Sequence, residues 1–120
     1  MRPALLAGPT DRHASVCSSA AGLAAVATNS AAAAAIFRTL RPGDHVIAPD
    51  DLYHGVAKLL KQVFVPWGLR VSFVDTSDVG TVRGAWQDTT RLLWLETPSN
   101  PLLKISDIAA LAELAHSRGA

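Results

Sequence analysis

Three short polar segments hold the residues of this chain best suited to chemistry, and each follows an apolar run and precedes a helical pattern. The first, Thr28-Asn29-Ser30, opens an alanine-rich run. Free N–H groups and the positive dipole end at a helix start can hold a phosphate, and the same residue types also serve as plain N-caps. The second, Asp50-Asp51-Leu52-Tyr53-His54-Gly55, brings a tyrosine to a strand-to-helix junction. There the Tyr53 ring can stack on a planar aromatic ligand or pack half-buried. His54 beside it reads as a surface residue, and His45 and His116 read as structural. In the third, Glu96-Thr97-Pro98-Ser99-Asn100-Pro101, two prolines restrict the backbone around Asn100. The Asn100 amide can then offer a donor to a ligand oxygen, or the segment can be simply a rigid turn.

Ligands of open parallel α/β sheets bind beyond the carboxyl ends of the strands, so the elements around these segments decide whether they can meet. A helix is expected from Asp11 or Arg12 to about Ala21, ended near Gly22, and Leu23 to Ala27 reads as a short buried strand. Ala31 to Leu40 is rich in the best helix former, with Arg38 and Arg41 at its negative end and Pro42-Gly43 as a stop. His45 to Ala48 reads as a strand. From Tyr53 to Trp67 the positions Val56, Leu59, Leu60, Val63 and Phe64 recur at three- and four-residue spacing, which predicts an amphipathic helix ended near Gly68. Val71 to Val74 reads as a strand, Val79 to Trp86 as a short helix weakened by Gly80 and Gly84, and Arg91 to Leu95 as another strand. Ser106 or Asp107 caps a last helix, on which Ile108, Leu111, Ala112 and Ala115 share a face, and Gly119 lies at its end.

Short apolar strands alternating with helices imply a mainly parallel sheet covered on both faces, joined by right-handed crossovers. All three polar segments then fall on one edge. Residues 1–10 show no periodicity and read as an arm; residues 11–120 read as one partial α/β domain, with no repeat and no internal linker. The pattern stops after a helix, where another strand is expected, and so reads as truncated.

Composition narrows the function. Eleven basic against ten acidic residues give a net charge of +1, too balanced for a nucleic-acid surface. Cys17 is alone and can form no internal disulfide, and no Cys/His set has zinc spacing, which fits a reducing cytoplasm. A faint signal-peptide pattern in Arg2 and Ala4 to Ala7 is interrupted by Asp11, Arg12 and His13. The stretch Ala20 to Phe37 is mostly alanine and carries Thr28, Asn29 and Ser30 mid-span, against a membrane span. No G-x-G-x-x-G or Walker pattern is present, which counts against dinucleotides and ATP.

Five runs resemble one family in order and spacing. They are Arg41-Pro42-Gly43-Asp44-His45-Val46, Asp50-Asp51-Leu52-Tyr53, Phe73-Val74-Asp75-Thr76-Ser77-Asp78, the run from Trp94 through Glu96-Thr97-Pro98-Ser99-Asn100-Pro101 to Lys104, and Asp107-Ile108-Ala109-Ala110-Leu111-Ala112. Together, from about Ala27 to Ala120, they resemble the pyridoxal-phosphate-dependent enzymes of cysteine and methionine metabolism: cystathionine γ-synthase, cystathionine lyase and methionine γ-lyase. The resemblance implies part of the large cofactor-binding domain of the aspartate-aminotransferase-like, fold type I architecture. It implies pyridoxal 5'-phosphate as cofactor, with Tyr53 stacked on the pyridine ring and Asn100 hydrogen-bonded near the ring hydroxyl. Thr28-Asn29-Ser30 stands where the family has Ser-Gly-Met, whose backbone amides hold the phosphate; Asn29 and Ser30 depart from that pattern. Gly8-Pro9-Thr10 resembles the end of the family's phosphate-reaching arm, but Pro3 and Leu5 stand at the places of its tyrosine and arginine.

By the same resemblance the aspartate facing the pyridine nitrogen, the Schiff-base lysine and the substrate-carboxylate arginine lie beyond Ala120. No catalytic residue is therefore assigned within the chain, and Lys104 matches a family position other than the Schiff-base lysine. The implied full-length protein is a cytoplasmic homotetramer acting on sulfur amino acids or activated homoserine by γ-replacement or by γ- or β-elimination, with amino-acid substrates and no nucleic-acid or membrane partner. Two alternatives stand beside it: a non-catalytic remnant, and a stand-alone α/β module binding a phosphorylated ligand.

Overall fold

The computed structural model describes residues 29–120. The expected arm, the helix from Asp11 or Arg12, the strand at Leu23 to Ala27, Cys17 and Thr28 lie outside the described residues. Of the described residues, those up to Thr39 belong to one compact unit and Leu40–Ala120 form a second. In the first, α1 (Asn29–Phe37) starts two residues before the expected Ala31 and stops three before Leu40. Asn29 and Ser30 are thus its first residues rather than its caps. At the other end the Thr39 hydroxyl donates to the Ile36 carbonyl at 2.7 Å, a local bond that competes with continuing the helical ladder.

The second unit is built on a three-stranded parallel sheet in the order β2-β1-β3. The central strand β1 (His45–Pro49) pairs with β2 (Arg70–Val74) on one side and β3 (Thr90–Leu93) on the other. Every residue of β1 is buried, as a strand covered on both faces requires. The chain leaves β1 for β2 and then crosses back over β1 to reach β3. Two right-handed crossovers running in opposite directions put their connections on opposite faces. The first runs through α2 (His54–Leu59), a π turn (Leu60–Phe64) and α3 (Val65–Trp67); the second through α4 (Val79–Ala85). On one face Ile47 packs with Val82 of α4 and with Leu111 and Leu114 of α5 (Ile108–Ser117). Val46 and Ala48 point the other way along the strand and are fully buried, as are Val56 and Leu60 of the first crossover, with Phe64 nearly so.

The amphipathic segment expected from Tyr53 to Trp67 is interrupted at Leu60–Phe64, where Val65 N–H donates to the Leu60 carbonyl. Pro66 gives the reason: it has no N–H to donate and its ring crowds the carbonyl four residues back, so a wider turn accommodates it. The stop at Gly68 holds. With φ at 128° it takes a conformation that side chains resist, and a Cβ there would lie 2.7 Å from Pro42 Cβ. That close approach lets Gly43 N–H donate to the Gly68 carbonyl at 2.8 Å, seating the turn before β1 against the end of α3. Of the two caps expected for the last helix, Asp107 serves, accepting from Ala110 N–H at 3.0 Å. Ser106 is buried instead, its hydroxyl 3.0 Å from that of Thr76. Among the described residues no helix is long and apolar enough to cross a membrane.

Candidate functional site

The chain leaves β1 toward one face of the sheet and reaches α5, after β3, on the other. Between the carboxyl ends of these two neighbouring strands the connections diverge, and such a reversal opens the crevice where α/β sheets bind ligands. Tyr53 follows β1 and Asn100 follows β3, so the fold brings these two expected site residues to the same crevice. Tyr53 stands immediately before α2 and is 39% exposed. Asn100 is exposed, and its amide has no hydrogen bond to the described residues. Neither side chain makes a hydrogen bond to the described residues.

Two carboxylates fasten the loops that carry them. Glu96 Oε2 accepts from Tyr53 N–H at 2.8 Å, and its Oε1 accepts from the Trp94 indole N–H at 3.2 Å. Asp51 is buried and accepts from the Ser99 hydroxyl and, at 2.8 Å, from Leu102 N–H. Ser99 Oγ in turn accepts from Lys104 N–H at 2.9 Å, and the Ser99 and Lys104 backbones are joined by a further bond of 2.9 Å. This closed turn holds Leu103 at φ 57°, and the peptide bonds before Pro98 and Pro101 are both cis. Asn100 therefore sits on a turn whose every flank is tied down.

Lys104 Nζ spans the ends of two strands, 3.3 Å from Asp50 Oδ1 after β1 and 3.7 Å from Asp75 Oδ2 after β2. The hydrogen bond to Asp50 leads the causes that raise the Lys104 pKa. Hydrogen bonds from Ser77 hold Asp75 below the usual carboxylate range, with Lys104 adding to them. Lys104 thus clasps the carboxylates at the ends of β1 and β2. Of the other lysines, Lys61 lies over the Phe73 ring at 5.0 Å and Lys58 is on α2.

At the opposite end of the strands, His45 is 1% exposed, with Nδ1 2.6 Å from Thr90 Oγ1 and Nε2 2.7 Å from Ser72 Oγ. Burial, with Arg70 nearby, lowers its pKa. It ties the amino ends of the three strands together, far from the crevice. Of the first polar segment, Thr28 lies outside the described residues, while Asn29 and Ser30 belong to the unit that ends at Thr39. Sequence reasoning passed over Asp51, Glu96 and Ser99 as site-shaping groups. The only available signal was that each lies within two residues of Tyr53 or Trp94 to Asn100 in a polar loop after a strand.

A family model described as Cys/Met metabolism PLP-dependent enzyme matches residues 10–120. The chain belongs to this family. Pyridoxal phosphate is the family's cofactor, and the fold is the parallel α/β architecture of its fold type I members. The chain is 45% identical over 101 residues to cystathionine γ-lyase of Dictyostelium discoideum, covering 84% of this chain and 24% of that protein. It is 52% identical over 75 residues to cystathionine γ-synthase of Mycobacterium leprae, covering 62% of this chain and 19% of that one. Among solved structures, cystathionine γ-lyase from Lactobacillus plantarum complexed with L-serine superposes with a TM-score of 0.74 at 42% identity, covering 75% of this chain and 24% of that one. The chain thus spans about a fifth to a quarter of these relatives' length.

Proposed function

We propose that this chain forms the ring-receiving side of a pyridoxal phosphate site in an enzyme acting on sulfur amino acids or activated homoserine, by γ-replacement or by elimination. The observation that carries this is the convergence of Tyr53 and Asn100 on the crevice between β1 and β3, on loops fastened by Glu96 and Asp51. An exposed aromatic side chain and an unengaged amide donor suit a planar ring bearing a hydroxyl, so the residues present fit the cofactor. Tyr53 would cover one face of the ring and Asn100 would donate to the ring oxygen. Backbone N–H groups at Thr28, Asn29 and Ser30 are the proposed phosphate hold.

Pyridoxal phosphate, when bound, supplies an electron-withdrawing ring that stabilises negative charge on the substrate carbons. This chain's own residues bind and orient. Lys104 is engaged with two carboxylates, and Lys58 and Lys61 lie on the first crossover. The covalent step is accordingly assigned to a lysine contributed from elsewhere in the full-length, homotetrameric enzyme of the cytoplasm.

Two measurements test this. Borohydride reduction of the 120-residue chain mixed with pyridoxal phosphate, followed by peptide mapping, should spread label over Lys58, Lys61 and Lys104, without turnover of a sulfur amino acid. One dominant labelled lysine together with turnover would overturn the assignment. In the full-length protein, Tyr53→Ala should weaken cofactor retention about three- to tenfold, the worth of one aromatic stack, and Asn100→Ala should shift the pH profile of the cofactor's absorbance. Retention and profile both unchanged would remove the two residues from the site.

A further inference from the structure

Resting on the reading that Tyr53 receives the cofactor ring, we infer that Glu96 is the positioning residue that aims that ring. Its two carboxylate oxygens are divided between two donors, Tyr53 N–H at 2.8 Å and the Trp94 indole N–H at 3.2 Å. The carboxylate therefore cannot turn without giving up a bond. Glu96 lies on the loop after β3 and Tyr53 on the loop after β1, so the bond to Tyr53 crosses the crevice from one wall to the other.

What this bond does follows from how Tyr53 is held. At φ −48° and ψ 129° Tyr53 precedes α2, and its side chain caps nothing. Its carbonyl accepts from Val56 and Ala57 N–H, both at 3.0 Å, which fixes the main chain on the helix side. The N–H is an open donor on the other side, and Glu96 closes it. Tyr53 as a whole is 39% exposed and its hydroxyl has no hydrogen bond to the described residues. The direction of its Cα–Cβ bond is set once the amide and the carbonyl are both held, and the ring is left with the staggered positions about that bond. Asp50, Asp51 and Lys104, the other charged groups on these loops, fasten the Asn100 turn and the strand ends instead. A glutamine at Glu96 would keep one acceptor oxygen but present an NH2 group where the second donor points, so it can satisfy only one of the two.

Tyr53 is the only tyrosine of the chain, so labelling tyrosine with nitrogen-15 at the amide and carbon-13 in the ring yields one signal for the bond and one for the ring. Glu96→Ala should speed Tyr53 amide exchange roughly tenfold or more, with Glu96→Gln in between, because the lost bond is charge-assisted. Both should shift the Tyr53 ring resonances. In uniformly labelled protein the Ala110 amide, capped by Asp107 at 3.0 Å, should exchange at the parent rate. Unchanged exchange at Tyr53, or equal acceleration at Ala110, would overturn the inference; the second result would mean that Glu96 supports the whole fold. Pyridoxamine phosphate, which has no aldehyde to label lysines, separates the two readings. Expected exchange and ring shifts with no ring response to this probe would support Glu96's hold on Tyr53 and overturn the cofactor reading.

Discussion

A buried carboxylate must have its lone pairs met by donors, and Asp51 shows what a chain gains when two of those donors belong to a distant loop. By accepting from the Ser99 hydroxyl and Leu102 N–H, it links residues 48 and 51 positions apart and holds the turn that presents Asn100. Both bonds fall on one oxygen, Oδ2, so alanine at this position leaves the Ser99 hydroxyl and Leu102 N–H unmet at once. Asp51→Ala is expected to lower stability by roughly 1–3 kcal/mol in urea unfolding, the cost of leaving buried polar groups unmet. The loss should be local as well, with faster amide exchange at Leu102 and Lys104. That both Asp51 and Asn100 lie in polar loops was legible in the sequence; that one holds the other was not, because their pairing depends on two strands being neighbours.

Helix ends carry most of the position-specific information at the scale of elements. Gly43 and Gly68 both have positive φ, 95° and 128°, but only Gly68 is crowded, its virtual Cβ meeting Pro42 at 2.7 Å while that of Gly43 meets nothing within 4 Å. This separates conformational strain from steric conflict. Gly68→Ala should cost roughly 1–3 kcal/mol, and Gly43→Ala less, since it bears the strain alone. Equal shifts in the unfolding midpoint would mean that the contact with Pro42 relaxes freely. The stop at Gly68 could be read from a glycine after an amphipathic run, whereas the π turn at Leu60–Phe64 could not, because the apolar spacing is compatible with either winding.

For the whole molecule, His45 joins the amino ends of all three strands at once, bonded to Ser72 of β2 and Thr90 of β3. Its pKa in the fold is lowered from the ordinary 6.5 by burial first and by Arg70 second. Below that value the unfolded chain takes up a proton that the folded chain resists, so stability is lost as pH falls from about 6.5 toward the folded pKa. Urea midpoints measured at pH 7.5 and 5.5 should therefore differ in the parent, and differ less in His45→Gln, whose amide keeps partners for Thr90 and Ser72. An equal drop in both proteins would place the acid sensitivity elsewhere.

The sequence by itself determined the class of fold, the order of elements among the described residues and the family. Apolar spacing follows the period of each element, stop residues such as Gly68 have local causes, and the run from Trp94 to Lys104 is specific enough to name its relatives. It also put Tyr53 and Asn100 in loops after strands, since a short apolar run followed by polar residues and a helical pattern says as much. Only the tertiary structure decided that β1 is central, with β2 and β3 on either side. Strand order depends on which apolar faces pack together across long separations, here Ile47 with Val82, Leu111 and Leu114, and no local pattern encodes it. From that order come the crevice between β1 and β3, the meeting of the Tyr53 and Asn100 loops within it, and the fastening of both by Glu96 and Asp51.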